Sequence, residues 1–154
     1  MTELNAHDPS KKMVSVSRFV SAPASEIFDL LADPKKHAVI DGSGSIKSTL
    51  ESTPERLTLG ATFGMSMKIV APYRITNTVS EFVESKQIAW THFGGHIWRY
   101  ILEPTDGGTT VTEQFSYAAY RYPLMLKLFG FVPRNEKSIH KTLANLAAYF
   151  GAKN

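Results

Sequence analysis

Five ionisable side chains are candidates for acid–base chemistry in this chain of 154 residues. They are His37, Asp41, His92, His96 and Glu113. An acid and a base that face one cavity could catalyse an aldol-type cyclisation or a dehydration. In the alternative interpretation, His37 and Asp41 cap helix ends or brace a turn, and Glu113 holds a neighbouring hydroxyl group or arginine. Spacing across separate elements does not decide between the two.

Other catalytic chemistries lack the residues they need. The chain has five histidines and no cysteine, which excludes disulfides, thiolate nucleophiles and thiolate metal sites. His92 and His96 have a four-residue interval, but they flank Gly94-Gly95 and not a helical turn, so no metal site is predicted. The sequence contains no G-x-S-x-G elbow, phosphate-binding loop or dinucleotide fingerprint, so we expect no cofactor.

Composition predicts one ordinary globular domain. Hydrophobic residues make up 43% and charged residues 20% of the chain, and the formal net charge is +3. The 17 lysines and arginines are scattered, which argues against a nucleic-acid partner. Residues 1–12 are predicted to be a flexible tail and residues 13–151 a single domain. No stretch has the composition of a signal peptide or a membrane helix, so we expect a cytoplasmic protein.

The elements that must position the candidate residues follow from periodicity. Residues 13–20 alternate as a strand. The stretch SAPASEIFDLLADP predicts an amphipathic helix with Ser21 or Ser25 as its N-cap and Pro34 as its end, and Pro34–Val39 can form a second short helical turn. About six strand segments joined by short turns follow between residues 46 and 118, which predicts an antiparallel meander. A short apolar segment at 123–129 precedes a long amphipathic helix from about Arg134 to Phe150. The predicted fold class is α+β.

One face of these strands is rich in aromatic side chains and methionines. With two leucines of the last helix, this face supplies the predicted ligand-binding residues, which are Phe63, Met65, Met67, Tyr73, Trp90, His92, Trp98, Tyr100, Phe115, Tyr117, Leu143 and Leu146. The alternative is that they form a packed core under the helix. Buried Trp, Tyr and His need partners for their polar atoms, and Met adapts to irregular contents, so a cavity is the favoured interpretation.

Several motifs resemble the START-like (SRPBCC) superfamily, and within it the polyketide cyclase/dehydrase and lipid-transport group. The matching stretches are SAPASEIFDLLADPKKH at 21–37, IDGSG at 40–44, WRYILEPTDGGTTVTE at 98–113 and the closing amphipathic helix. The resemblance covers residues 13–151. It implies a helix-grip fold, in which a curved antiparallel sheet of about seven strands wraps around the long C-terminal helix, with two short helices after the first strand. It also implies an internal cavity for a hydrophobic molecule.

Two functions are therefore expected in order, with an interaction or stress-response module that acts through its surface as a third class. The first is binding or carriage of a small hydrophobic ligand, such as a lipid, polyketide or aromatic compound. The second is an enzyme, a cyclase or dehydratase acting on a polyketide-like substrate in the same cavity. The apolar segment 121–133 carries flanking positive charges, which predicts transient membrane contact or a cover over the core. The sequence does not specify an oligomeric state.

Overall fold

An antiparallel sheet and one long helix form the frame of the protein. The computed structural model describes residues 6–44, 46–49, 53–68, 71–91 and 94–152. Its strands are β1 (His7–Asp8), β2 (Met13–Val20), β3 (Ile46–Thr49), β4 (Thr62–Lys68), β5 (Pro72–Val83), β6 (Gln87–Thr91), β7 (Ile97–Thr105) and β8 (Gly108–Ser116). Its helices are α1 (Ala24–Leu31), a 3-10 turn (Pro34–Lys36), α2 (His37–Ile40), α3 (Pro123–Leu128) and α4 (Phe131–Gly151).

Within the described residues the strands form a single sheet in the order β1-β2-β8-β7-β6-β5-β4-β3, with every neighbouring pair antiparallel. Strands β3 to β8 lie side by side in chain order as a meander, and β2 pairs with β8. The predicted helix-grip fold, with a curved sheet of seven main strands and a long C-terminal helix, is confirmed. The eighth strand, β1, is two residues long and comes from the segment predicted to be a tail.

The two faces of the sheet differ in polarity. On the outer face, Arg99 on β7 donates to Glu81 on β5 at 2.8 Å and to Gln114 on β8 at 3.0 Å. The amide of Gln114 continues this network to Ser15 on β2 at 3.3 Å. On the other face, alternate residues of β7 and β8 are buried, including Tyr100 and Glu113. The apolar face therefore turns towards the helices.

Helix α4 begins at Phe131, three residues before the predicted start at Arg134. The sequence interpretation placed Pro133 outside the helix, because proline breaks helix interiors. Pro133 instead occupies the first turn, where its missing N–H would have no partner within the helix. Gly130 precedes the helix with φ +62, a left-handed conformation that suits glycine and turns the chain sharply between α3 and α4.

The two halves of α4 meet the sheet differently. Ile139, Leu143, Leu146 and Phe150 are buried in the hydrophobic core, which also contains residues of β2 and α1. The preceding turns carry Arg134, Asn135 and Ser138, which border a cavity. The interior is thus packed under the C-terminal half of α4 and hollow under its N-terminal half.

Candidate functional site

A cavity of about 950 Å³ lies between the inner face of the sheet and the N-terminal half of α4. Strands β3 to β8 form one wall, and α2, α3 and α4 supply the others. Its size falls in the range of small-molecule sites, and most of its lining is apolar or aromatic with a few polar groups. The cavity reaches the surface at a rim, defined here by the exposed lining residues Tyr73, Arg74, Thr76, Tyr122, Met125 and Arg134.

Most of the predicted ligand-binding residues line this cavity. Those that do are Met65, Met67, Tyr73, Trp90, Trp98, Tyr100 and Phe115. The alternation of strand side chains predicted them, because every second residue of a strand points to the face of the sheet that is turned towards the helix. Trp90 and Tyr100 lie with ring centroids 5.7 Å apart, and Trp98 and Phe115 lie with ring centroids 4.9 Å apart, so these four rings give the wall an aromatic surface.

Four of the predicted ligand-binding residues lie away from the cavity lining. Phe63 is buried among the rings of His37 and Trp90. Leu143 and Leu146 belong to the hydrophobic core and are not among the residues that border the cavity. The hydroxyl group of Tyr117 pairs with Nε2 of His7 at 2.6 Å near the edge of the sheet. The remaining one, His92, which was also a catalytic candidate, lies outside the described residues.

Glu113 is a buried polar group of the cavity wall. Tyr100 and Glu113 are direct cross-strand neighbours on β7 and β8, and the Tyr100 hydroxyl donates to Oε1 of Glu113 at 2.9 Å. The Glu113 side chain is 3% exposed, and Oε2 has no hydrogen-bond partner among the described residues. Glu113 therefore accepts a hydrogen bond from the Tyr100 hydroxyl group through one carboxyl oxygen, and its other carboxyl oxygen makes no hydrogen bond to a described residue.

Burial controls the protonation of this pair. Removal from water raises the pKa of Glu113 to about 8, while the hydrogen bond from Tyr100 acts in the opposite direction and the charge of Asp41 adds to the increase. Burial likewise raises the pKa of Tyr100 well above its usual value, with the Glu113 carboxyl as the next cause. At neutral pH the cavity wall therefore presents an uncharged carboxylic acid beside an uncharged phenol.

His37 has a structural position in the wall. Its Nε2 donates to the carbonyl oxygen of Leu31 at 2.8 Å, and its ring stacks on Trp90 at a centroid distance of 4.9 Å. The side chain is buried, and the loss of water lowers the pKa of His37, so the ring is neutral. This geometry ties the end of α1 to the start of α2 and leaves His37 as a flat aromatic surface.

Asp41 braces the loop that follows α2. Its Oδ1 accepts hydrogen bonds from the amide and hydroxyl groups of Ser43 at 3.0 and 2.7 Å, and its Oδ2 accepts from the amide of Ile46 at 3.0 Å. The carboxylate borders the cavity, but three donors of its own loop already hold it. The arrangement is that of a turn-bracing aspartate.

Gly42 allows the same loop to approach α4 closely. Its amide donates to Oγ1 of Thr142 at 2.8 Å, and Asn145 donates to the carbonyl oxygen of Ile40 at 3.2 Å. A Cβ atom at position 42 would overlap the Ser138 carbonyl oxygen and the backbone of Thr142. The close approach of the loop to α4 thus explains why position 42 of the IDGSG stretch is a glycine, and no catalytic role is needed to explain it.

His96 also borders the cavity, where its ring lies edge-on to Phe115 at 5.4 Å and close to Tyr120 at 5.3 Å. Of the five acid–base candidates, Glu113, His96, His37 and Asp41 share the cavity, and their roles differ as described. Across the part of the chain that the structure describes, no three His, Asp or Glu side chains are grouped so as to hold a metal ion.

The sequence interpretation expected α4 to line the cavity through Leu143 and Leu146, and it missed the residues of α4 that do so. Phe131, Asn135, Ser138 and Thr142 border the cavity, at intervals of four, three and four residues. This is the spacing of one helical face, so they continue the stripe that Leu146 and Phe150 occupy further on. The signal was present as a run of smaller and polar residues on an otherwise apolar face.

Helix α3 forms part of the rim and exposes apolar surface. Tyr122, Met125 and Leu126 border the cavity, whereas Leu124 and Leu128 on the same helix are 77% and 76% exposed. Phe129 follows at 58% exposure. None of the helices among the described residues is both long enough and apolar enough to span a membrane.

Comparison with known proteins agrees with this architecture. Residues 12–151 match the family described as polyketide cyclase/dehydrase and lipid transport. The uncharacterized protein Rv0088 of Mycobacterium tuberculosis is 37% identical over 153 residues, which cover 96% of this chain and 68% of that protein. This chain therefore belongs to the polyketide cyclase/dehydrase and lipid-transport family of the START-like superfamily.

Solved structures share the fold at low identity. Protein Ms6760 of Mycobacterium smegmatis superposes with a TM-score of 0.72 at 17% identity, covering 96% of each chain. Protein CV1439 of Chromobacterium violaceum gives a TM-score of 0.69 at 18% identity, covering 90% of this chain and 96% of that one. At such identities the comparison establishes the fold, and the chemistry has to be argued from the cavity.

Proposed function

We propose that this protein binds or carries one small hydrophobic molecule, a lipid, polyketide or aromatic compound, in the cavity between the sheet and α4. The observation that carries the proposal is the cavity itself, about 950 Å³ with an aromatic wall of Trp90, Trp98, Tyr100 and Phe115. Apolar surface that borders an open space favours a ligand, because its burial releases water from the aromatic rings.

The test uses an uncharged fluorescent probe, N-phenyl-1-naphthylamine, whose emission rises in apolar surroundings. We expect saturable binding to the purified protein. Ile75→Trp should weaken this binding at least about tenfold, because Ile75 on β5 borders the cavity and a larger side chain occupies its volume. Thr78→Trp is the matched control, since Thr78 lies on the same strand, is exposed and does not border the cavity.

Absence of saturable binding, or an equal effect of the two tryptophan variants, would contradict the proposal. Extraction of the purified protein with organic solvent, followed by mass spectrometry, is an independent measurement. We expect one hydrophobic compound at close to one molecule per chain from the wild type and a reduced amount from Ile75→Trp.

A cyclase or dehydratase is the second candidate, and the neutral carboxyl group of Glu113 beside Tyr100 favours it. Loss of water from a β-hydroxyketone needs an acid to protonate the departing hydroxyl group and a base to remove the α-proton. Glu113 is the candidate acid, and His96, which borders the same cavity, is the candidate base. Absorbance of the enone product tests this function, which predicts loss of turnover in Glu113→Gln and in His96→Ala with probe binding retained.

We also propose that the segment 121–133, which carries the rim residues Tyr122 and Met125, makes transient contact with membranes. Three observations support a membrane with anionic lipids as the partner. Leu124 and Leu128 are exposed, Arg121 and Lys127 flank them with positive charge, and the same helix borders the cavity through Met125. A hydrophobic ligand could pass between bilayer and cavity along this surface.

A further inference from the structure

The carboxyl group of Glu113 has an unfinished hydrogen-bond arrangement. Oε1 accepts from the Tyr100 hydroxyl, and within the described residues Oε2 has no partner, although the side chain is 97% buried. A buried polar atom without a partner costs free energy, so such atoms are rare in folded proteins. Glu113 also borders the cavity, and the last torsion of a glutamate side chain is broad, so its carboxyl group can turn towards an oxygen atom there.

Resting on the proposed function, we propose that the ligand carries an uncharged oxygen acceptor, such as a carbonyl group, that binds the free side of the Glu113 carboxyl group. Tyr100 holds the other oxygen of the carboxyl group, so the pair positions one hydrogen-bond donor at the sheet wall. The rest of the ligand lies against the aromatic side chains.

The direction of this hydrogen bond follows from the protonation state. Burial keeps the carboxyl group of Glu113 protonated at neutral pH. Because Oε1 already accepts a hydrogen bond from Tyr100, the proton belongs on Oε2. The Oε2 hydroxyl group can then donate a hydrogen bond to an acceptor in the cavity. A carbonyl oxygen meets that need without bringing a charge into the cavity.

Other charged and titratable groups also border the cavity. The charged or basic ones are His37, Asp41, Arg74, His96 and Arg134, and the phenols are Tyr73, Tyr100, Tyr120 and Tyr122. Arg74 and Arg134 lie at the exposed rim, and His37 and Asp41 have partners of their own. Glu113 is the group among them whose carboxyl oxygen is buried without a partner in the described structure.

The experiment compares two ligands of one shape, 9-fluorenone and fluorene, which differ by the carbonyl oxygen. Each displaces N-phenyl-1-naphthylamine from the wild type and from Glu113→Leu and Glu113→Gln. Small probes are chosen because they can reach the sheet wall whatever the size of the natural ligand. We expect the preference for fluorenone over fluorene to fall about tenfold in Glu113→Leu, the size of one buried hydrogen bond. Glu113→Gln should retain the preference, because its amide group still donates.

The pH dependence gives a second measurement that does not depend on Glu113→Leu folding. Between about pH 7 and about pH 9.5 the wild type should lose its preference for fluorenone as Glu113 gives up the proton. Glu113→Gln should keep the preference over the same range, and any effect of the histidines or tyrosines would appear in both proteins.

The outcomes separate this proposal from the proposed function. If the probe binds but the fluorenone preference is the same in the wild type and in Glu113→Leu, the acceptor proposal is overturned and ligand binding stands. If 9-aminofluorene binds more tightly than fluorenone, and increasingly so with rising pH, Glu113 binds a cation and the proposal is also overturned. If the probe does not bind the wild type at all, the proposed function itself fails.

Discussion

The two halves of α4 lie over the same sheet and yet produce different interiors. The C-terminal half buries Leu143, Leu146 and Phe150 in a packed core, whereas the N-terminal half presents Asn135 and Ser138 to a cavity. The two sets differ in their position around the helix as well as in side-chain size, because Leu143 directly follows Thr142 and so points in another direction. The face with Leu143 and Leu146 packs into the core, and the face with Asn135 and Ser138 borders open space. One helix thereby covers both a packed core and an open cavity.

The largest expected effect tests the packed half. Leu146→Ala should lower the free energy of unfolding by about 2–5 kcal/mol, because the surrounding core relaxes only partly around the missing atoms. Ile75→Ala is the comparison in the hollow half, where the deleted atoms already border open space, and it should cost less than half as much. Urea denaturation measures both variants. Equal costs would show that the two halves are packed alike.

The next effect tests the boundary between the halves. Gly42→Ala should lower the free energy of unfolding by about 1–3 kcal/mol, because its Cβ meets the α4 backbone at Ser138 and Thr142. Gly151→Ala is the control, since a Cβ at that helical position meets no atom within 4 Å. Thermal unfolding of the two variants checks the prediction. A wild-type melting temperature in Gly42→Ala would mean that the loop can retreat from the helix without cost.

A smaller effect is the pH dependence of stability that the buried carboxyl group of Glu113 should produce. The folded-state pKa of Glu113, about 8, lies above its unfolded value, so the folded protein holds this proton longer than the unfolded chain does. Its contribution to stability is complete below about pH 4.5 and declines as the pH rises towards 8, by at most about 1.4 kcal/mol per pH unit. Glu113→Gln should remove this decline, as measured by urea denaturation between about pH 5 and about pH 8.

Two comparisons isolate the Glu113 effect. Glu103→Gln, an exposed position on β7, should leave the pH dependence as in the wild type. His37 affects the pH dependence of stability in the opposite direction. Because its pKa is lowered in the folded protein, its contribution to the free energy of unfolding is complete above about pH 6.5 and is lost as the pH falls. A decline on the alkaline side that persists in Glu113→Gln would contradict the assignment.

The smallest effect concerns the exposed apolar segment 121–133. Leu128→Asp should weaken binding to vesicles containing anionic lipids by about fivefold, because an exposed leucine beside Lys127 is replaced by a charge of the wrong sign. Leu59→Asp is the control, since Leu59 is also exposed, at 65%, but lies outside the segment 121–133. Flotation of the protein with vesicles measures both. Equal weakening by the two variants would place the membrane contact elsewhere.

Much of the fold follows from local patterns. Alternation in β7 and β8 put Trp98, Tyr100, Glu113 and Phe115 on one inward face, and each lies there because strand side chains alternate strictly. The turn glycines and the amphipathic period of α4 gave the order of the elements. The start of α4 was misplaced by three residues, since Pro133 is as compatible with a first turn as with a loop.

What alternation cannot supply is the distance between the layers. Phe63 and Met65 share a face of β4, yet Phe63 is packed against His37 and Trp90 while Met65 borders the cavity. The sequence by itself determined which residues face inward, and it determined that Glu113 is among them. Only the tertiary structure decided which of these residues meet a packed core and which meet open space. The reason is that the gap at each point depends on the summed volumes of side chains from distant elements, here β4, α2 and α4.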